Sequence, residues 1–329
     1  MVLLGAARMV AAGGAEGSLS DAAAGAVTSL AVLGLGVEAP DLSALPANGP
    51  PGLAHALDYA EQVVTSIEIL AVMALVDGTL DATRIGQVVA FADGLGFHPD
   101  WLDDLTLSLA DDLTPVIEDM GSRNLRSVTD GRLDLTAVDD INHWLEPYSG
   151  DSRDDQLALR YRQLSELPPG SLGHEFWSFY DRHHFAFPGQ PGAVNEIFGT
   201  PHDCTHLISG YDTTPQGELL VSTFTSRMHP IFPMPGHVLP VIYSWHLGIE
   251  FNTLAGSYRG ALDPAKFWVA WDRGLRATAD TFDSNFDFWD HVEVPLTGIR
   301  ESFGVSQLDP AHAASSQGAV AGVDYRPIA

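Results

Sequence analysis

The chain has 329 residues, 43 acidic against 16 basic, and a formal net charge of −27. That imbalance argues against nucleic acid and anionic membrane surfaces as partners, because both are bound through basic surface. A 45% hydrophobic content, no apolar run long enough to cross a bilayer and a single cysteine, Cys204, describe a globular chain without disulfides, expected in the cytoplasm.

Further chemistry is excluded by what is missing. The opening Met1–Ala7 is apolar but is followed only by Arg8, a poor signal peptide. Lysine occurs once, at Lys266, so Schiff-base chemistry and a lysine-dependent phosphate loop have almost no candidates. No G-x-G-x-x-G follows a strand pattern, which argues against a Rossmann-type dinucleotide site. The length suits two domains or one large one.

Residues 1–130 read as helices. Ile67, Leu70, Ala71, Ala74 and Leu75 recur at helical spacing and end at Asp77-Gly78. Asp81 then caps a helix with Ile85, Val88, Val89 and Ala92 on one face, stopping near Gly94-Leu95-Gly96. A weak internal repeat pairs Gly17–Asp21 with Gly78–Ala82, Leu35-Gly36-Val37 with Leu95-Gly96-Phe97, and Pro40-Asp41-Leu42 with Pro99-Asp100-Trp101. Two such helical hairpins would bury each other's apolar faces. The stretch Ala71–Leu80, an apolar helix followed by Asp-Gly and a short polar cap, resembles the TerB-type helical module over roughly forty residues. Aspartates of that family are associated with metal; here Asp77-Gly78 reads as a turn and Asp81 as an N-cap.

Residues 131–155 read as a linker, within a polar stretch containing Gly131 and Ser149-Gly150-Asp151-Ser152, with Ile141 and Trp144 on a short docking helix. Residues 156–308 form the second expected domain, and 309–329 an Ala-, Ser- and Gly-rich flexible tail. Aromatics crowd this second domain at Phe176, Trp177, Phe179, Tyr180, Phe185 and Phe187, mostly as core. Frequent prolines between 168 and 240 break helices with ordered loops.

The most informative stretch is His202-Asp203-Cys204-Thr205-His206, followed after eleven intervening residues by Glu218. On a helix His202 and His206 share one face, and Asp203 leans toward the same side. Thr214 reads as the N-cap and Pro215 as the first residue of a new helix, which would swing Glu218 back onto the histidines. Two imidazoles with one or two carboxylates suit a divalent ion and leave a position open for water or substrate: Zn²⁺, or alternatively Mn²⁺ or Fe²⁺. Cys204 points elsewhere and reads as small core. Tyr211, just past the first helix, is a candidate donor to a ligand oxygen or a packed loop anchor. His246 is either a cavity residue or a satisfied core histidine. His183-His184 read as structural at a helix end, where cationic histidine favours the dipole. Arg273 and Arg276 either meet a substrate carboxylate or pair with acidic side chains.

The spaced motif His202, Asp203, His206 and Glu218 resembles the hallmark of the Coq-four family of ubiquinone-biosynthesis proteins. Upstream, Leu167–Phe176 resembles that family's P-x-G-[ST]-[LF]-G segment; downstream, Trp268–Arg276 and Asp287-Phe288-Trp289 to Arg300-Glu301 resemble its closing helices. The likeness runs from about 150 to 305. It implies an all-α domain, an ion held by those four residues with His202, Asp203, His206, Glu218 and Tyr211 as catalytic candidates, and a hydrophobic cavity for a prenylated ring or lipid-like ligand. The family is linked to organising a quinone-biosynthesis complex and to removing the ring carboxylate with hydroxylation of that carbon. The TerB-like N-terminal region and the lack of a basic membrane-facing surface are departures, and they admit another aromatic or polyketide-like acid as substrate. The expectation is therefore an all-α chain of two helical domains, a metal-dependent lyase or decarboxylase-type enzyme acting on a hydrophobic small molecule. The alternatives are a non-catalytic lipid- or quinone-binding scaffold with a structural ion, and a metallohydrolase. Oligomeric state stays open, a homo-oligomer included.

Overall fold

A computed structural model describes residues 1–129, 148–251 and 256–314. The fold is all-α: among the described residues there are fifteen α-helices and no strand, only two isolated bridges, Ser171 with Pro295 and Leu247 with Arg259. The first half carries α1 (Val2–Ala11), α2 (Asp21–Ser29), α3 (Pro50–Ala56), α4 (Ala60–Leu75), α5 (Ala82–Leu95), α6 (Trp101–Leu107) and α7 (Thr114–Thr129). The second half carries α8 (Asp155–Gln163), α9 (Leu172–His183), α10 (Glu196–Ser209), α11 (Pro215–Met228), α12 (Leu239–Trp245), α13 (Pro264–Arg276), α14 (Phe288–His291) and α15 (Leu296–Ser302). None of these helices is long and apolar enough to cross a membrane.

Local chemistry sets the helix ends. Asp81 caps α5 by accepting from the Arg84 N–H at 2.9 Å, and Gly96 ends that helix in the left-handed region. The repeat is visible in the same features: Ser20 caps α2 from the Ala23 N–H at 3.0 Å, and Gly36 matches Gly96 in its left-handed backbone. The two copies diverge after α2, which continues into a π-helical turn, Leu30–Gly34. Asp77 does more than turn the chain. It pairs with Arg84 and accepts from the Ser20 hydroxyl, joining the two copies.

One apolar core runs from Leu4 to Val305. Helix α13 lies between α11 on one side and α2 with its π turn on the other. Polar bonds cross the same junction. Arg227 of α11 meets Glu68 of α4 at 2.6 Å, and the Tyr243 hydroxyl of α12 meets the Ser108 hydroxyl, just past α6, at 2.7 Å. Ile141, Trp144 and most of the linker, and the tail beyond 314, lie outside the described residues.

Candidate metal centre

Helix α10 carries the histidine pair. Asn195 caps it by accepting from the Ile197 N–H, and Gly210 ends it with φ 83°. Pro201 sits inside it, directly before His202. At its far end the Arg300 guanidinium donates to the Leu207 and Ile208 carbonyls, at 2.7 and 3.1 Å, and Arg273 to that of Ser209, at 2.8 Å. These carbonyls have no partner within the helix, and cations there suit the helix dipole.

The return of Glu218 follows from four residues. Asp212 accepts from the Thr214 N–H and hydroxyl, and Thr214 in turn caps α11 from the Gly217 N–H at 3.1 Å. Pro215 occupies the first helical position, as its sequence context requires. Gly217 is pressed against Asp212 so closely that a Cβ there would overlap the Asp212 carbonyl. Glu218 consequently stands in the first turn of α11, facing α10.

His202 Nε2 and His206 Nε2 lie 3.1 Å apart, and Glu218 Oε2 stands 3.3 Å from the first and 3.5 Å from the second. Donors about 2.0–2.1 Å from a tetrahedral ion stand about 3.3 Å from one another, so these separations match a shared cation. Asp203 offers an oxygen within 4.8 Å of both histidine donor atoms. The outer contacts fit the same purpose. His206 Nδ1 donates to the Tyr211 carbonyl at 3.0 Å, which turns its Nε2 lone pair toward Glu218. The rings are held by stacking, His206 on Phe179 and His202 on Phe198.

Electrostatics reinforce the arrangement. Burial opposes the Glu218 charge, yet the adjoining histidines outweigh it and hold its carboxyl down to about 2. Burial also opposes the charge of His206, but Glu218 and Asp203 raise it to about 9. In the absence of an ion, a proton on His206 thus takes the same place, and metal and proton compete for one nitrogen. Asp203 is pushed up by burial against the pull of His202 and His206.

A cavity of about 20 Å³ opens on this group, lined by Phe185, Ala186, Val194, Phe198 and Gly199 around His202, Asp203 and Glu218, with Tyr180 and Thr213 as further polar groups. That is room for about one water. Among the described residues no arginine or lysine lines it. Arg276 pairs with Asp272 at 2.8 Å, and Arg273 serves the end of α10 and the Ser306 carbonyl.

The structure brings together His202, Asp203, His206 and Glu218. Tyr211 contributes its carbonyl; its buried ring lies 5.3 Å from the Arg273 guanidinium and does not line the cavity. His246 is a satisfied core histidine: Nε2 donates to the Val76 carbonyl at 3.1 Å and Nδ1 accepts from the Leu262 N–H at 3.2 Å. Cys204 is buried and free. The expected cationic His183 is corrected, because burial, then Arg182 and His206, lower its affinity for a proton. Its ring packs on Phe179 and Phe185 instead. Reading Tyr180 with the aromatic core missed its hydroxyl, which donates to Asp203 Oδ2 at 2.5 Å. The available signal was a phenol among phenylalanines, since a buried tyrosine hydroxyl needs a partner.

No family model matches the chain, and no curated protein does. A solved structure from Nostoc punctiforme PCC 73102, titled "Putative ubiquinone biosynthesis protein", aligns over 76% of this chain and 100% of its own at 17% identity. Its TM-score is 0.30, too low to carry an argument about fold or function.

Proposed function

We propose that the chain is a Coq-four-like, divalent-metal-dependent enzyme acting on an aromatic or prenylated carboxylic acid, with decarboxylation or related ring chemistry in quinone or secondary-metabolite biosynthesis. The observation that carries this reading is the convergence of His202 Nε2, His206 Nε2 and Glu218 Oε2 at 3.1–3.5 Å beside a small aromatic-walled cavity. The likeness of the flanking segments to the Coq-four family supports it. His202, His206 and Glu218, with Asp203, would hold Zn²⁺, or Mn²⁺ or Fe²⁺. When bound, such an ion supplies Lewis acidity toward a carboxylate or ring oxygen.

The remaining work falls to the chain. Among the described residues no arginine or lysine lines the wall, so it offers a substrate carboxylate no guanidinium or ammonium partner, and the Tyr180 phenol gives its one proton to Asp203. The phenol's affinity for that proton is raised well above the ordinary value, chiefly by burial and then by Asp203, so it stays a donor to Asp203. Phe185 and Phe198 give an apolar aromatic approach that excludes water from the ring. In a simple decarboxylation the ring-carbon–carboxylate bond breaks, carbon dioxide leaves, and a proton returns to the ring carbon.

The test is carbon dioxide release from a panel of hydroxylated benzoic acids, with and without prenyl substituents, using metal-loaded protein. His202→Ala and Glu218→Ala are expected to abolish release while helicity survives. Turnover retained in either variant refutes the reading. The water-sized cavity favours two alternatives. One is a scaffold with a structural ion, which predicts that chelation lowers the melting temperature with no turnover on any acid. The other is a metallohydrolase, which predicts chelator-sensitive cleavage of model esters.

A further inference from the structure

We propose that Tyr180 is a positioning residue of the metal centre: its hydroxyl engages one oxygen of Asp203, fixing the carboxylate so that the other oxygen is presented to the ion. The inference rests on the metal-binding reading above and adds a residue outside the four-residue motif.

The geometry is specific. Tyr180 stands on α9 and is 4% exposed. Its ring stacks on Phe176 at 4.7 Å and on Phe187 at 5.1 Å, with Phe185 edge-on at 5.7 Å. Those three rings pack the phenol on its faces and edge and so place its hydroxyl. That hydroxyl is on the cavity wall and donates to Asp203 Oδ2 at 2.5 Å, a short bond of the kind a phenol makes to a carboxylate.

The direction of the bond carries information. Asp203 offers only acceptors when ionised, and a tyrosine that stays protonated can only donate to it. Tyr180 therefore engages Oδ2 and leaves the other oxygen of Asp203 for a cation. The neighbouring residue acts in parallel, since Phe179 stacks on His206 at 5.8 Å. Two consecutive side chains of α9 thus address two consecutive donors of α10. Hydrogen bonds of this kind to first ligands typically change metal affinity about 10–100-fold.

The experiment is a Co²⁺ titration of the full chain, after chelation and dialysis, for wild type, Y180F, D203A and Y180F/D203A. The readouts are the dissociation constant and the visible absorption spectrum of the bound Co²⁺, with far-ultraviolet dichroism as a check on folding. Y180F keeps the stacked ring and removes only the hydroxyl, so a packing role predicts no change. The expected result is an affinity loss of about 10–100-fold with an altered spectrum. In the D203A background Y180F adds less than about twofold, because its partner is already gone. Wild-type affinity and spectrum in Y180F overturn the proposal, as does an equal loss in both backgrounds. Should Y180F lose helicity, D203A alone decides: unchanged Co²⁺ affinity there removes Asp203 as a ligand and the proposal with it. Failure of the wild type itself to take up Co²⁺ is a distinct result, which overturns the metal reading on which the inference stands.

Discussion

Arg227 and Glu68 form an ion pair at 2.6 Å between α11 and α4, with the guanidinium 4.3 Å from the Trp271 ring centroid. Both side chains are largely buried. The pair fastens the helix that bears Glu218 to the N-terminal half of the chain. Removing one member strands the other in the core, so R227A is expected to cost about 3 kcal/mol in chemical denaturation. E68L/R227M removes both charges together and is expected to lie closer to wild type. A cost for R227A below about 1 kcal/mol, the range of exposed pairs, would show that the pair is solvated in solution.

Metal content tests the centre directly. Elemental analysis of purified wild type is expected to give about one equivalent of divalent ion, and none for His202→Ala/His206→Ala. Chelation is expected to lower the wild-type melting temperature and leave that of the double variant unmoved, since only a folded site gains stability from the ion. Equal metal in both proteins would place the ion elsewhere.

Gly217 is expected to tolerate no side chain. A Cβ there meets the Asp212 carbonyl and carboxylate, both within the turn that aims Glu218. Gly217→Ala is expected to cost about 1–3 kcal/mol in stability. It is also expected to weaken metal uptake, measured by the same elemental analysis, because the first turn of α11 must shift. Unaltered metal binding with lowered stability would separate the turn from the aim of Glu218.

A pH effect arises far from the centre. Asp104 of α6 is buried, and burial followed by the nearby charge of Asp119 raises its carboxyl to about 7. An aspartate in the unfolded chain ionises near 3.9. Between these values the folded state binds more protons than the unfolded state, so stability falls as pH rises from about 4 to about 7. D104N carries no such charge. Relative to wild type it is expected to gain on the order of 1–2 kcal/mol at pH 8 over its value at pH 4, allowing for screening by solvent and Arg123. Thermal melts at the two pH values measure this, and a gap independent of pH would show that Asp104 titrates normally.

Features set by neighbours in sequence were legible in the chain. Asp81, Thr214, Pro215 and Gly96 occupy the places their chemistry dictates, because caps and turns satisfy backbone groups within a few residues. The convergence of Glu218 on the histidines followed from the same local logic. What depends on distant packing was not legible. His246 finds the Val76 carbonyl 170 residues away, and neither residue carries a mark of the other. The continuous core across the two halves, the π turns at Leu30–Gly34 and Pro233–Val238, and the bond from Tyr180 to Asp203 belong to the same class. Periodicity reports which face is buried, not which partner buries it.

The two guanidiniums at the end of α10 and the proline within it make that helix mechanically uneven. Arg273 and Arg300 clamp its last three carbonyls, just beyond His206. Pro201 has no N–H to give the Ile197 carbonyl, so the ladder is broken ahead of His202. The backbone is thus tied just beyond His206 and lacks one rung just before His202, beside Phe198 and Gly199 on the cavity wall. Any widening of the cavity to admit a ring would therefore fall more easily on the turn before His202, where the proline leaves one carbonyl without its helical partner, than on the clamped turn beyond His206.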